Sequence, residues 1–426
     1  MNISNAGHAR WWILAFTSVA LFGNYYVYDS IAPVADLLQR QLGLSATQIG
    51  TLNAIYSLPN IFMVLVGGIL VDRFGAARVT FWTALICVLG AVLTAIGGQF
   101  AVMALGRLLF GLGAETMIVA TLAALGQWFA GKSVAFAMAL SISVARLGSY
   151  AADLSPTYAA NLYQKGWQPP LWFATVMMAI GLAGAAGYWW VDRRARARGT
   201  RLSAATTDRF VWSEVWRFDR AYWYLVALCV LFYSVIFPFR STFAIAYFQN
   251  AHGLPLDVAG QMNSYVFLAA IFATPLFGWV ADRFGRRALL LMLGSLLLPL
   301  SFLILAETSW NLWITTALIG ISFSLVPAVL WPAVSILVEQ KRLGTAFGLM
   351  TMLENLGMGA ANVGAGALND VSRASAENPA GYVPMLAFFG VLGALGFIYA
   401  WLLRRRELGP LGHGLERPSA AVASAP

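Results

Sequence analysis

Gly67-Gly68-Ile69-Leu70-Val71-Asp72-Arg73-Phe74-Gly75 and, 210 positions further on, Phe277-Gly278-Trp279-Val280-Ala281-Asp282-Arg283-Phe284-Gly285 close on the same Asp-Arg-Phe-Gly ending. Each ending follows one apolar run of membrane-spanning length and precedes another, so each reads as a tight loop between two helices. In a chain of 426 residues the spacing is about half the length, which predicts a duplicated helical unit. The residue types fit such a loop. Glycine lets two helices approach and turn sharply, while Asp and Arg pair with helix ends and neighbouring basic groups at the membrane rim.

Composition agrees: 60% of residues are hydrophobic, 11% are charged and the mean hydropathy is +0.71. Soluble domains carry roughly 25% charged residues, so this is a polytopic membrane protein. By the ~20-residue criterion, apolar runs at 11–35, 46–71, 79–98, 101–129, 134–160, 170–191, 220–248, 258–281, 288–306, 311–337, 344–368 and 382–403 give twelve transmembrane helices. The net charge of +9 does not point to nucleic acid, because 21 of the 27 Lys and Arg fall in the termini and in the even-numbered loops. Only Arg40, Lys165 and Arg373 fall in the opposite loops, which predicts cytoplasmic termini. Cys87 and Cys229 lie inside predicted helices and read as small buried residues.

The Gly-x-Leu-x-Asp-Arg-x-Gly pattern, followed by Arg78 in one copy and by Arg286 and Arg287 in the other, resembles the loop motif of the major facilitator superfamily. The resemblance implies an all-α membrane fold of two pseudo-symmetric six-helix bundles and places Gly68, Asp72, Arg73, Gly75, Gly278, Asp282, Arg283 and Gly285 in a conformational motif. The expected organisation is a first bundle at 1–191, a linker at 192–219, a second bundle at 220–408 and a disordered tail at 409–426. Within the linker, Phe210 to Arg217 has an aromatic and apolar face with charges opposite, as a short helix lying on the membrane surface would.

A charge near the bilayer centre costs roughly 2.5–3.5 kcal/mol even on the mildest scale, so each needs a reason. Helical rise puts Glu115 on the fourth helix and Arg146 on the fifth near the midplane. Their contexts are Gly111-Leu112-Gly113-Ala114-Glu115 and Ser143-Val144-Ala145-Arg146-Leu147-Gly148-Ser149. With Tyr28-Asp29, Tyr56-Ser57-Leu58-Pro59-Asn60 and Glu354-Asn355-Leu356-Gly357, they resemble the superfamily branch that includes the lysosomal dipeptide uniporter of animals. That resemblance implies a central site for a substrate with a charge at each end. Arg146 would hold the carboxylate, and Glu115 would hold the ammonium, or Arg146 itself when the site is empty. A structural Glu115–Arg146 ion pair is the plain alternative. Asp29, Tyr28, Tyr56, Asn60, Trp331 and Asn355 complete the candidate binding set.

Three residues have two readings each. Arg107 matches the fourth-helix arginine of many superfamily members and reads either as a capping or gating group, with Asp29 or Asp36, or as a substrate contact. Asp29 reads as an ammonium ligand or as a gate partner. Glu354, about 16 Å deep on the eleventh helix by its rise, reads as a proton carrier or as a protonated hydrogen-bonding group. The animal branch carries an uncharged polar residue at the matching position. Beside Pro238, Arg240 sits near Tyr233, Phe237 and Phe239, which read as an outer gate or as packing.

The function expected is alternating-access transport of a small zwitterionic solute, above all dipeptides, as a uniporter or proton symporter. The alternatives are a proton-coupled carrier of small organic anions and, from another class, a non-transporting receptor or accessory subunit. No nucleophile motif, metal spacing or nucleotide loop is present, so an enzyme is not expected and neither is a cofactor. The expected partners are a small-molecule substrate, the lipid bilayer and protons, without nucleic acid, for a monomer in a bacterial inner membrane.

Overall fold

The computed structural model describes residues 3–129, 133–198, 215–306 and 312–418. With no water to satisfy N–H and C=O groups, an apolar chain crossing a bilayer must close its backbone bonds within each span, and the described residues are almost wholly helical. The first half comprises α1 (Ile3–Asp29), α2 (Ile31–Leu42), α3 (Ala46–Phe74), α4 (Ala76–Ile96), α5 (Phe100–Trp128), α6 (Val134–Tyr158), α7 (Ala160–Gln164) and α8 (Gln168–Ala197). The second comprises α9 (Arg220–Pro238), α10 (Ala244–His252), α11 (Leu256–Phe284), α12 (Arg287–Ala306), α13 (Leu312–Leu337), α14 (Leu343–Val371) and α15 (Val383–Glu407).

Because α2 and α7 extend α1 and α6 after short breaks, and a π-helical turn at Phe239–Phe243 joins α9 to α10, the elements amount to twelve spans. Eight pass a strict test of length and apolarity, and α3, bent by 59° between Met63 and Val66, makes a ninth. Pro59 and the Gly67-Gly68 pair flank that bend. The other three are α1, α6 and α14, whose apolar runs are broken by buried Asn24 and Asp29, by Asp153, and by Glu354, Asn355 and Asn362.

Contacts group the chain into two compact units, Met1–Leu44 with Ile55–Thr207, and Ser45–Ala54 with Asp208–Pro426. In the first, the core where α1, α3, α4, α5 and α8 meet is built on small residues, Ala76, Ala77, Ala120 and Ala124, wedged by Trp128, Phe129 and Tyr188. Small side chains allow close helix packing where lipid supplies no hydrophobic drive. Phe62, Ile69 and Trp82 point outward, as a bilayer permits.

In the second unit, the first turn of α3 is held by Asp370 at the end of α14. Its carboxylate accepts from the Ala46 and Thr47 N–H groups at 2.8 Å and from the Thr47 hydroxyl. A carboxylate on the unsatisfied N–H groups of a helix start is favoured by both hydrogen bonding and the helix dipole. The beginning of α3 therefore groups with the second unit, although chain order had placed it in the first bundle.

Two further expectations change. The sixth helix runs on to Ala197, past the expected boundary at 191, and the proposed surface helix from Phe210 lies outside the described residues up to Glu214. The tail expected to be disordered from 409 is folded as far as Pro418. Glu407 accepts hydrogen bonds from the His413, Gly414 and Leu415 N–H groups at 2.9–3.1 Å, and Glu416 accepts from the Leu289 N–H at 3.1 Å. Composition could not show this, because a few specific carboxylate bonds and the burial of one side chain, Leu415, hold the segment.

Candidate functional site

The duplicated loops are built alike. α3 and α11 end at Phe74 and Phe284, and the next glycine turns out of the helix with positive φ, +84° at Gly75 and +68° at Gly285. Each glycine N–H still closes a helical bond, to Val71 and Ala281 at 2.8 and 3.0 Å. A side chain would be strained at both positions. In the second copy Asp282 pairs with Arg287 at 2.7 Å. In the first, Asp72 and Arg73 are exposed at the mouth of the loop.

Close helix contact positions the acidic member of the site. Gly111 on α5 lies so near α3 that a Cβ there would sit 2.5 Å from the Tyr56 carbonyl oxygen. One turn on from each contact residue, the Asn60 amide donates to Glu115 Oε1 at 3.1 Å. Arg146 on α6 is half-buried, two residues before Gly148, which packs on the Phe22 backbone of α1. Glu115 and Arg146 thus stand on neighbouring helices of the first unit, and the contact that positions the carboxylate is the one from Asn60. The carboxylate is held by a neutral amide.

Arg107 is 1% exposed and serves a different purpose. Its guanidinium donates to the Val27 and Tyr28 carbonyls at 3.3 and 3.4 Å, at the break of α1 before Ser30, where the Val27 carbonyl also accepts from the Ser30 N–H and hydroxyl. It also faces the rings of Tyr28, Tyr56 and Phe110 at 5.4–5.7 Å. Tyr28 and Tyr56 lie 4.7 Å apart, so these two candidates form an aromatic bracket around Arg107. Asp29 is fully buried next to that break, and Asp36 bonds Arg40 at 2.9 Å.

In the second unit the candidates form two groups. Trp331 on α13 donates its indole N–H to the Tyr233 hydroxyl at 2.9 Å and stacks on Phe347, and Tyr233 stacks on Phe237. Glu354 on α14 is buried, with the Cys229 thiol donating to Oε2 at 3.8 Å, and Asn355 turns back to the Thr351 carbonyl. Phe239 is packing: it is buried among Phe302, Phe389, Tyr247 and Phe248.

A polar cluster that the sequence reading did not assemble surrounds the π-helical turn. Arg240 is 1% exposed, sits 3.7 Å from the Phe267 ring centroid and donates to the Ser241 hydroxyl. Thr242 accepts from the Asn53 amide and donates to Asn362 Oδ1, each at 2.7 Å. Asn53 also donates to the Ser241 carbonyl, and Asn263 donates to that of Arg240. A π turn leaves carbonyls out of α register, and these amides satisfy two of them. The available signal was Pro238 followed by Arg240-Ser241-Thr242 inside an otherwise apolar run.

Among the described residues no group of His, Cys, Asp and Glu could hold a metal. Within the first unit the arrangement is a half-buried acid on α5, an arginine on α6 and the aromatic bracket of Tyr28 and Tyr56.

Comparison with known proteins agrees. The chain is 30% identical over 384 residues to the lysosomal dipeptide transporter MFSD1 of Danio rerio, covering 84% of this chain and 80% of that protein. It is 24% identical to a probable sulfoacetate transporter, SauU, of Cupriavidus necator, over 83% of this chain and 85% of that one. The solved structure of the nucleoside transporter NupG superimposes with a TM-score of 0.74 at 12% identity, covering 92% of this chain and 99% of NupG. The signature of the Major Facilitator Superfamily matches residues 17–361 and again 239–424, overlapping stretches that start in the two halves marked by the duplicated loop. The chain, a membrane transporter and not an enzyme, belongs to the Major Facilitator Superfamily.

Proposed function

We propose that this transporter carries small zwitterionic solutes, dipeptides first among them, and that Glu115 and Arg146 recognise the two ends. The observation that carries the reading is Glu115, a half-buried carboxylate within a span whose hydrogen bond comes from the neutral Asn60 amide. Such a group is expensive in a membrane unless a cation completes it, and a substrate ammonium supplies one. Arg146 offers the fork that matches a carboxylate. The likeness to MFSD1 supports the same substrate class. Within the first unit Asp29, Tyr28 and Tyr56 brace the site in this reading; in the second, Trp331 and Asn355 are the candidate substrate contacts and Glu354 carries the proton if transport is coupled.

The test is thermal stabilisation of purified protein by dipeptides, single amino acids and organic anions, followed by uptake into proteoliposomes. Dipeptide stabilisation should disappear in both Glu115→Gln and Arg146→Ala. Stabilisation by sulfonates or carboxylates alone, surviving Glu115→Gln, would replace this reading with an organic-anion carrier.

A further inference from the structure

The two copies of the duplicated loop share their backbone geometry, yet they differ in what lies against them. At Gly285 the folded tail fills the space: a Cβ would meet the Arg417 backbone at 2.5 Å. The start of α12 is covered by tail oxygens. The Glu416 carbonyl accepts from Arg286 N–H, the Leu415 carbonyl from Arg287 N–H, and the Glu416 carboxylate from Leu289 N–H. The second unit thus supplies its own acceptors, an acid among them, to this helix N-terminus and its arginines.

At Gly75 a Cβ would meet nothing within 4 Å. In place of a tail there is a cavity of about 580 Å³ that reaches the start of α4 at Gly75 and Ala77 and is lined by Arg73, Arg78, Arg193 and Arg196. Among the described residues the one carboxylate on its wall, Asp192, is already bonded to Arg196 at 2.7 Å. Three further guanidinium groups therefore stand beside the Asp192–Arg196 pair, at a helix end whose first N–H groups have no helical acceptors. Phe74 and Trp189 complete the wall. Nearby Ile69, Trp82 and Trp190 are exposed apolar side chains on the same three helices, with Arg194 lying over the Trp190 ring at 3.6 Å.

We infer that this cavity is a binding site for a phosphate group, and that the group is the headgroup of an anionic phospholipid whose acyl chains run along the apolar flank of α3, α4 and α8. Arginine forks match phosphate oxygens in two-point fashion, and basic pockets between helices at the basic membrane face take such headgroups. The apolar flank favours the lipid over a free phosphate ion, which would gain nothing from it. The inference does not depend on the transported substrate.

The test is native mass spectrometry of the full-length protein from detergent, after incubation with phosphatidylglycerol, phosphatidylcholine or inorganic phosphate, with thermal stability measured in parallel. Wild type should retain phosphatidylglycerol and be stabilised by it, and respond to neither of the others. Arg78→Gln with Arg193→Gln removes two of the four charges and should weaken retention roughly thirty-fold. Arg78→Lys with Arg193→Lys should retain most of the binding, which separates lost charge from lost folding. Equal phosphatidylglycerol retention by wild type and the glutamine pair would overturn the site. Stabilisation by inorganic phosphate equal to that by the lipid would overturn the lipid as its ligand.

Discussion

Gly111→Ala offers the sharpest test of how the acid is positioned. The added Cβ would lie 2.5 Å from the Tyr56 carbonyl oxygen and 3.2 Å from the carbon atoms behind it, all backbone, so no side chain can swing aside. Ordinary contact begins near 3.4 Å, so α5 and α3 must separate by about 0.9 Å at this level. One turn away the Asn60–Glu115 hydrogen bond, 3.1 Å long, would then stretch to about 4.0 Å, beyond bonding distance. Overpacking of this kind costs about 1–3 kcal/mol, and loss of a hydrogen bond to a charged group adds about 1.5–3 kcal/mol. The melting temperature should fall by several degrees, and substrate affinity should fall as it does in Asn60→Ala. Gly278→Ala is the control, because a Cβ there meets nothing within 4 Å despite its place in the duplicated motif. The measurements are thermal unfolding in detergent and proteoliposome uptake. A Gly111→Ala protein that melts and transports like wild type would refute the claim that this contact positions Glu115.

Three further predictions follow from individual contacts. Partial burial works to raise the Asp219 carboxyl, but the Ala221 N–H and the Arg406 guanidinium outweigh it and hold it below the ordinary carboxylate range. Its contribution to stability is therefore complete above about pH 4 and lost as pH falls through the depressed folded value. The stability gap between wild type and Asp219→Asn should be constant from pH 7 to about pH 5 and close in stronger acid; a gap unchanged at pH 3 would contradict this. Trp331→Phe keeps a ring against Phe347 but removes the N–H donated to Tyr233, at a cost of about 1 kcal/mol. In a double-mutant cycle with Tyr233→Phe the two losses should not add, and additive losses would mean that the bond contributes nothing. Glu354→Gln should abolish the pH dependence of uptake while leaving binding of substrate intact, and unchanged pH dependence would remove Glu354 as a proton carrier.

The fold was legible because bilayer physics leaves so little choice. Apolar runs near 20 residues can only be spanning helices, and the repeated Asp-Arg-Phe-Gly announced the duplication before any contact was known. The acid on α5 was legible for the same reason, since Glu115 stood alone in an apolar run. Its partner was not. Asn60 meets Glu115 through an approach of α5 to α3 that is fixed by Gly111, and one glycine among 40 carries no mark of which backbone it will touch. Arg107 was readable as capping or binding; its bonds to the Val27 and Tyr28 carbonyls depend on the break of α1 at Ser30, and Asp29-Ser30 alone does not mark a helix end in sequence. The cluster around Thr242 was missed because it needs the π turn, and a single wide turn leaves no periodicity to detect. Cys229 was taken for a filler residue, and its thiol is directed at Glu354.

The folded segment Gly409–Pro418 bears on how this protein should be handled at the bench. Its composition invites truncation after Leu408, or a purification tag fused there. Either change would strip the Leu289 N–H of its carboxylate and uncover Arg286 and Arg287 beside Arg404. The shortened protein would expose a vacant basic socket able to collect detergent sulfates, nucleotides or assay buffer anions. Anion effects measured on such a variant would belong to the cut and not to the transporter, so tags should be carried beyond Pro418.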